Sequence, residues 1–132
     1  MYEKTTFGIK ITAEPIFMAE QSSPARAHFV WLYNIKIENN SENAVQLLSR
    51  YWRITNAFGN SEEVNGPGVI GEQPVLAPGE SHQYSSGTHL NTSSGIMHGA
   101  YQFQNLDKKE EFFEVEIPAF SLDSPFTQAA VN

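Results

Sequence analysis

The stretch Phe29-Val30-Trp31-Leu32-Tyr33-Asn34-Ile35-Lys36-Ile37-Glu38 places a large apolar side chain at every odd position, with polar residues between them from Asn34 onward. Successive side chains of a strand point to opposite faces, so a period of two marks a strand with one face on a core. Val30 and Leu32 are apolar on the even side too, which predicts an interior strand covered on both faces there. The pattern spreads in both directions. Upstream, Phe7, Ile9, Ile11 and Ala13 share one parity, and Pro15 is expected to interrupt that strand at a bulge or an edge. The apolar parity is expected to pass from there to Ile16 and Met18. Downstream, Leu48, Trp52 and Ile54 are expected to share a face with Arg50. Tyr101 and Phe103 alternate with Ala100, Gln102 and Gln104, and Phe113, Val115 and Ile117 with Glu114 and Glu116. Turn-forming residues at 39–43, 58–60, 78–79 and 105–109 separate these runs. No amphipathic stripe of helical period reaches ten residues. The chain is therefore expected to be all-β, one β-sandwich domain over residues 1–132, with its last eight or so residues partly disordered.

Composition narrows the functions. A chain of 132 residues holds one core. There is no cysteine, which excludes disulfides, thiol catalysis and thiolate metal sites. Eight Lys and Arg against fifteen Asp and Glu leave a net charge of −7, which argues against nucleic acid or an anionic lipid surface as the partner. No apolar run approaches the roughly 20 residues needed to span a bilayer, so membrane insertion is not expected. The first residues lack both a cationic start and an apolar leader, and the expected location is cytoplasmic.

Residues 64–80 stand out. Within them Gly66-Pro67-Gly68-Val69-Ile70-Gly71 has the G-x-G-x-x-G spacing of a dinucleotide-binding turn. That motif works by opening a helix whose free amides hold pyrophosphate, yet Pro74 and Pro78 fall where the helix would run. Two readings survive: a loop that needs glycine for positive φ, or a nest of backbone amides around an anion. Arg50 and Arg53 are the cations that could assist the second. The 64–73 loop is the expected functional surface; if it is rigid, Gly68→Val is expected to damage binding and leave thermal unfolding nearly unchanged, whereas a large loss of stability would mark a purely structural loop.

Catalytic and metal chemistry find little support. The two aspartates, Asp107 and Asp123, lie in a turn and near the C-terminus, and no nucleophile elbow accompanies the four histidines. His82, His89 and His98 are the weak metal candidates, but no two have the i, i+2 spacing that aims ligands one way from a strand. Exposed polar histidines are the plainer account. Trp31 and Trp52 are expected in the core before they are expected at a binding surface.

Several motifs together resemble the ApaG family, whose bacterial members are also called CorD. They are residues 45–56 (Val-Gln-Leu-Leu-Ser-Arg-Tyr-Trp-Arg-Ile-Thr-Asn), 66–74, 76–80, 84–87, 97–101 and 117–122. The resemblance implies an immunoglobulin/fibronectin type III-like β-sandwich, a link to cobalt resistance and magnesium efflux, and no catalytic residues to carry over. It places the family's glycine motif on Gly66, Gly68 and Gly71. Tyr51 departs from the pattern, since many relatives carry His between the Arg and the Trp. The expected function is a non-enzymatic module acting through an unidentified protein partner, with Gly66, Gly68, Gly71, Arg50 and Trp52 as the candidate contact residues. The alternative is a nucleotide or pyrophosphate sensor on the glycine loop. No resident cofactor is indicated, a divalent cation or a nucleotide being the two candidates, and exposed edge strands allow a homodimer.

Overall fold

The computed structural model describes residues 1–126. Among the described residues, nine strands form two antiparallel sheets. They are β1 (Tyr2–Thr6), β2 (Ile9–Phe17), β3 (Phe29–Asn39), β4 (Val45–Asn56), β5 (Ser61–Pro67), β6 (Val75–Leu76), β7 (Ser81–Leu90), β8 (Ser94–Asn105) and β9 (Phe112–Asp123). The first sheet runs β1-β2-β3-β7; the second runs β5-β4-β8-β9, with β6 paired to the start of β4. Two short 3-10 turns, Ala19–Gln21 and Pro24–Arg26, connect β2 to β3. The expected all-β sandwich is what forms.

The core lies between the inner faces of the sheets. Ile9, Ile11, Trp31, Ile35 and Ile37 come from the first sheet; Leu47, Trp52, Tyr101, Phe103, Phe120 and Leu122 come from the second. β3 carries the strict alternation read from its sequence, with every odd residue from Phe29 to Asn39 buried. Val30 and Leu32, on its outer face, are only half-buried, so the strand is interior to its sheet but not covered on both faces. Trp31 crosses the gap between layers, its Nε1 donating to the Asp123 carbonyl at 2.9 Å. Asn39 is fully buried and its amide is satisfied: Nδ2 donates to the carbonyls of Asn43 and Leu76, while Oδ1 accepts from Ser41.

Three strands depart from the sequence expectation. Phe7 and Gly8 do not open β2; with φ of 51° and 80° they form the tight turn that joins it to β1. β1 itself has no apolar alternation and its side chains are largely exposed, which hid it. Pro15 causes no bulge, since it pairs in register with Tyr33, and the inward parity continues to Phe17 rather than passing to Ile16, which is 40% exposed. The edge half of that expectation holds locally. β1 pairs with β2 only as far as Ala13, so Pro15 lies where the outer side of β2 has no neighbour. In β4 the register passes from Leu47↔Phe103 to Ser49↔Gln102 and skips Leu48. That bulge puts both Leu47 and Trp52 inside and removes Leu48 from the face it was expected to share with Arg50. The chain segment expected to be disordered begins at Pro125. Ser124, just before it, is hydrogen-bonded to the Ser93 carbonyl at 2.8 Å and Phe126 packs near Phe17 and Phe29; residues 127–132 lie outside the described residues.

Candidate functional site

The bulge at Leu48 sets up the site. Beyond it Arg50 shares the inward parity of Trp52 and Ile54, and lies half-buried at the flank of the sandwich where β7 of one sheet approaches β4 and β5 of the other. Arg50 pairs with Gly66 of β5 on one side and with Tyr101 of β8 on the other. A β-carbon on Gly66 would fall 2.8 Å from Arg50 Nη1 and 3.0 Å from its Cζ, so the guanidinium lies directly against the bare glycine backbone. Nη1 donates to the carbonyls of Pro67 and Gly68, each at 3.0 Å. Among the described residues no carboxylate forms an ion pair with Arg50.

Three tyrosines underlie this cation. Tyr84 of β7 and Tyr101 of β8 share a hydroxyl–hydroxyl bond that ties the two sheets together. Tyr33 of β3 stands opposite Ser86 in the ladder. Burial pushes the phenol pKa of Tyr33, Tyr84 and Tyr101 above the ordinary value, and the nearby Arg50 charge only partly opposes it.

The loop after β5 is fastened to the bulge. The Leu48 carbonyl accepts from the Gly68 amide at 2.8 Å and from Gln73 Nε2 at 2.9 Å. Val69 and Glu72 bond to each other through N–H to carbonyl contacts of 2.8 and 3.0 Å, closing a two-residue turn. Its central residues, Ile70 and Gly71, have φ of 48° and 75°. Gly68 also has positive φ, and a β-carbon there would meet the Glu72 carbonyl oxygen at 2.1 Å. Gly68→Val therefore forces this loop open, and cannot be the fold-neutral probe expected from the sequence.

The motif thus is not a phosphate cradle of dinucleotide-binding form. No helix follows it, the amides of Gly68, Val69 and Glu72 are taken by carbonyls of the protein itself, and the loop turns two carbonyls toward Arg50. An amide nest needs the reverse polarity.

The other sequence candidates scatter. Arg53 is exposed on the outer face, paired in register with His98. His82 lies on the inner side of β7 with Nε2 3.7 Å from the Glu72 carboxylate. His89 neighbours His28, with ring centroids 5.5 Å apart. Histidines 82, 89 and 98 therefore occupy separate places, and no group of three His, Asp or Glu that could hold a metal occurs among the described residues. Trp52 is a correction: at 2% exposure it packs in the core against Tyr33 and Phe120 and offers no contact surface. What the sequence did not single out is Ile70, 62% exposed at the tip of the turn, and the inner row of β7. Ile70 carries no sequence signal beyond its place in the glycine motif. Tyr84 could be joined to Arg50 only once the pairings of β7 and β8 were known.

An ApaG domain family model matches residues 19–105, which include Tyr33, Arg50, the 66–73 loop, Tyr84 and Tyr101. The chain is similar to the protein called ApaG of Brucella canis, with 53% identity over 132 residues and the whole of both chains covered. It is 50% identical to the ApaG of Paramagnetospirillum magneticum, again over the whole of both. Among solved structures it resembles an ApaA protein from Bordetella pertussis, with a TM-score of 0.85 at 38% identity, covering 89% of this chain and 94% of that one.

Proposed function

This chain belongs to the ApaG family, and from that premise we propose that it is a non-enzymatic binding module that acts by protein–protein contact through the 66–73 loop. The observation that carries this proposal is Ile70. A β-branched residue at φ 48° is a backbone outlier, costing on the order of 1–3 kcal/mol, and here its side chain is 62% exposed rather than packed. Neither the backbone nor the core gains from isoleucine there; a partner surface would. Arg50, clasped beside the loop, adds a fixed positive charge to the same flank. The expected tie to cobalt resistance and magnesium efflux then runs through a cytoplasmic protein partner and not through a metal ligand set.

A photo-crosslinking residue placed at position 70 tests this in cells. We expect one discrete protein adduct from position 70 and none from a control position at Gln102, which is exposed on the outer face of β8. The absence of any adduct overturns the proposal. An amide-resolved NMR titration with ATP, diadenosine tetraphosphate, Mg²⁺ and Co²⁺ examines the sensor alternative. Saturable shifts centred on residues 66–71 would replace the contact module with a nucleotide sensor, and shifts at His82, His89 or His98 with Co²⁺ would make the cation link direct.

A further inference from the structure

Four strands form the long sides of the two sheets: β1 and β7 in the first, β5 and β9 in the second. A side strand exposes a row of unpaired amides and carbonyls, and proteins blunt such rows with short length, charge, proline or bulges. Three of the four follow that rule. β1 has five residues and carries Glu3 and Lys4. β5 carries Glu62 and Glu63 and ends on Pro67. β9 carries Glu114, Glu116 and Asp123, and at Pro118 and Ala119 its register with β8 shifts.

β7 has none of these devices. Its ten residues include no Asp, Glu, Lys, Arg or Pro, and its register with β3 is unbroken from Ser81↔Glu38 to Leu90↔Phe29. Gly87 sits within it without an internal reason: its φ is not left-handed, and a β-carbon would meet only the Trp31 carbonyl at 3.6 Å, an ordinary contact. Glycine inside a strand often marks the close approach of another backbone.

The inner row of this strand leads to Arg50. Tyr84, Ser86 and Thr88 alternate inward along β7. The Tyr84 hydroxyl touches that of Tyr101, and Tyr101 is the ladder partner of Arg50. A strand added beside β7 would send every second side chain to this row, next to a half-buried cation that has only neutral acceptors. A second copy of the chain fits poorly, because two copies would bring two guanidinium groups to the seam and no carboxylate from either β7, with −7 on each molecule.

We propose that the free edge of β7, from Tyr84 to Leu90, receives an extended segment of a partner protein as an added strand, and that an Asp or Glu of this segment pairs with Arg50. The added strand supplies the main-chain bonds and the carboxylate fixes its register. This rests on the contact-module proposal and specifies the chemistry of the partner.

The test is selection of a random twelve-residue displayed peptide library on the full chain, followed by amide-resolved titration with the selected peptides. We expect enriched sequences of alternating β-branched residues with one acidic position, and shifts concentrated on residues 84–90 and Arg50. Changing that acidic residue of the peptide to its amide, which leaves this chain untouched, should weaken binding at least tenfold, and Arg50→Gln should remove the difference between the two peptides. Gly87→Pro and Thr88→Pro form a calibrated pair. Adjacent amides point to opposite sides of a strand, so the variant that keeps wild-type melting has lost only an outward donor, and it should lose binding at least tenfold. An unenriched library, shifts mapping elsewhere, equal affinity of the acidic and amide peptides, or protection of β7 by a concentration-dependent dimer would each overturn the proposal. If an adduct still forms at position 70 in those cases, the contact module stands and the added strand alone falls.

Discussion

Gly68 cannot carry a β-carbon unless the Glu72 carbonyl, which would stand 2.1 Å from it, moves away. We expect Gly68→Ala to release the 68–73 turn from the Leu48 carbonyl, seen as faster hydrogen exchange of the amides at positions 68 and 69 with the rest of both ladders still protected. Gly66→Ala should act differently, displacing the Arg50 side chain and leaving the turn closed, since its clash is with a side chain. Ile70→Asn replaces a β-branched residue at φ 48° with one that tolerates this region. The expected outcome is a gain of about 1 kcal/mol in urea unfolding together with loss of the crosslinked partner. Stability and binding moving in opposite directions is the signature of a residue kept for contact. The three glycines were legible as a motif with two readings, a loop needing positive φ or an anion nest, and the first holds at Gly68 and Gly71 while Gly66 serves another end. Gly66 gives clearance to a cation, and Gly68 and Gly71 supply positive φ. Which end a glycine serves depends on what lies opposite it, and a single sequence does not say.

At the scale of strands, alternation exposed the elements with a buried face and missed the rest. β3 reads plainly because its inner row runs unbroken from Phe29 to Asn39. β7 escaped because its inner row is His82, Tyr84, Ser86 and Thr88, polar enough to resemble loop. Leu48 was assigned to the wrong face because a bulge inserts one residue without any change in composition. The site depended on that bulge, so Arg50, Gly66 and Gly68 could be named from sequence while the tyrosines beneath them could not. The Tyr84–Tyr101 bond is the contact that closes this flank. Tyr84→Phe leaves the fully buried Tyr101 hydroxyl without its partner and should cost about 1–3 kcal/mol. The double variant, with Tyr101→Phe, should cost less than the sum of the two single changes in a thermal unfolding cycle; strict additivity would mean the bond contributes nothing.

For the molecule as a whole, burial of phenols sets an alkaline limit. Tyr33, Tyr84 and Tyr101 keep their protons above the ordinary pKa of 10.0 when folded, because burial penalises the phenolate. The unfolded chain releases those protons near pH 10, so above that pH the folded state binds more protons than the unfolded one. Stability is therefore complete below pH 10 and falls as pH rises beyond it. The expected result is that these three phenols ionise together with the loss of circular dichroism; their ionisation near pH 10 in the intact fold would contradict their burial. Trp31 and Trp52, 1% and 2% exposed, sit one in each sheet. The protein thereby contains two lamps, one per layer, both dark to solvent and blue in emission while the sandwich is shut. With Trp31→Phe or Trp52→Phe only one lamp remains lit, and the colour change on denaturation reports the wetting of one layer alone. Because the Tyr84–Tyr101 bond, kept in both variants, crosses the gap, the colour change of each variant is expected at the same urea concentration as its own loss of circular dichroism, and a lag between the two would time the parting of the sheets.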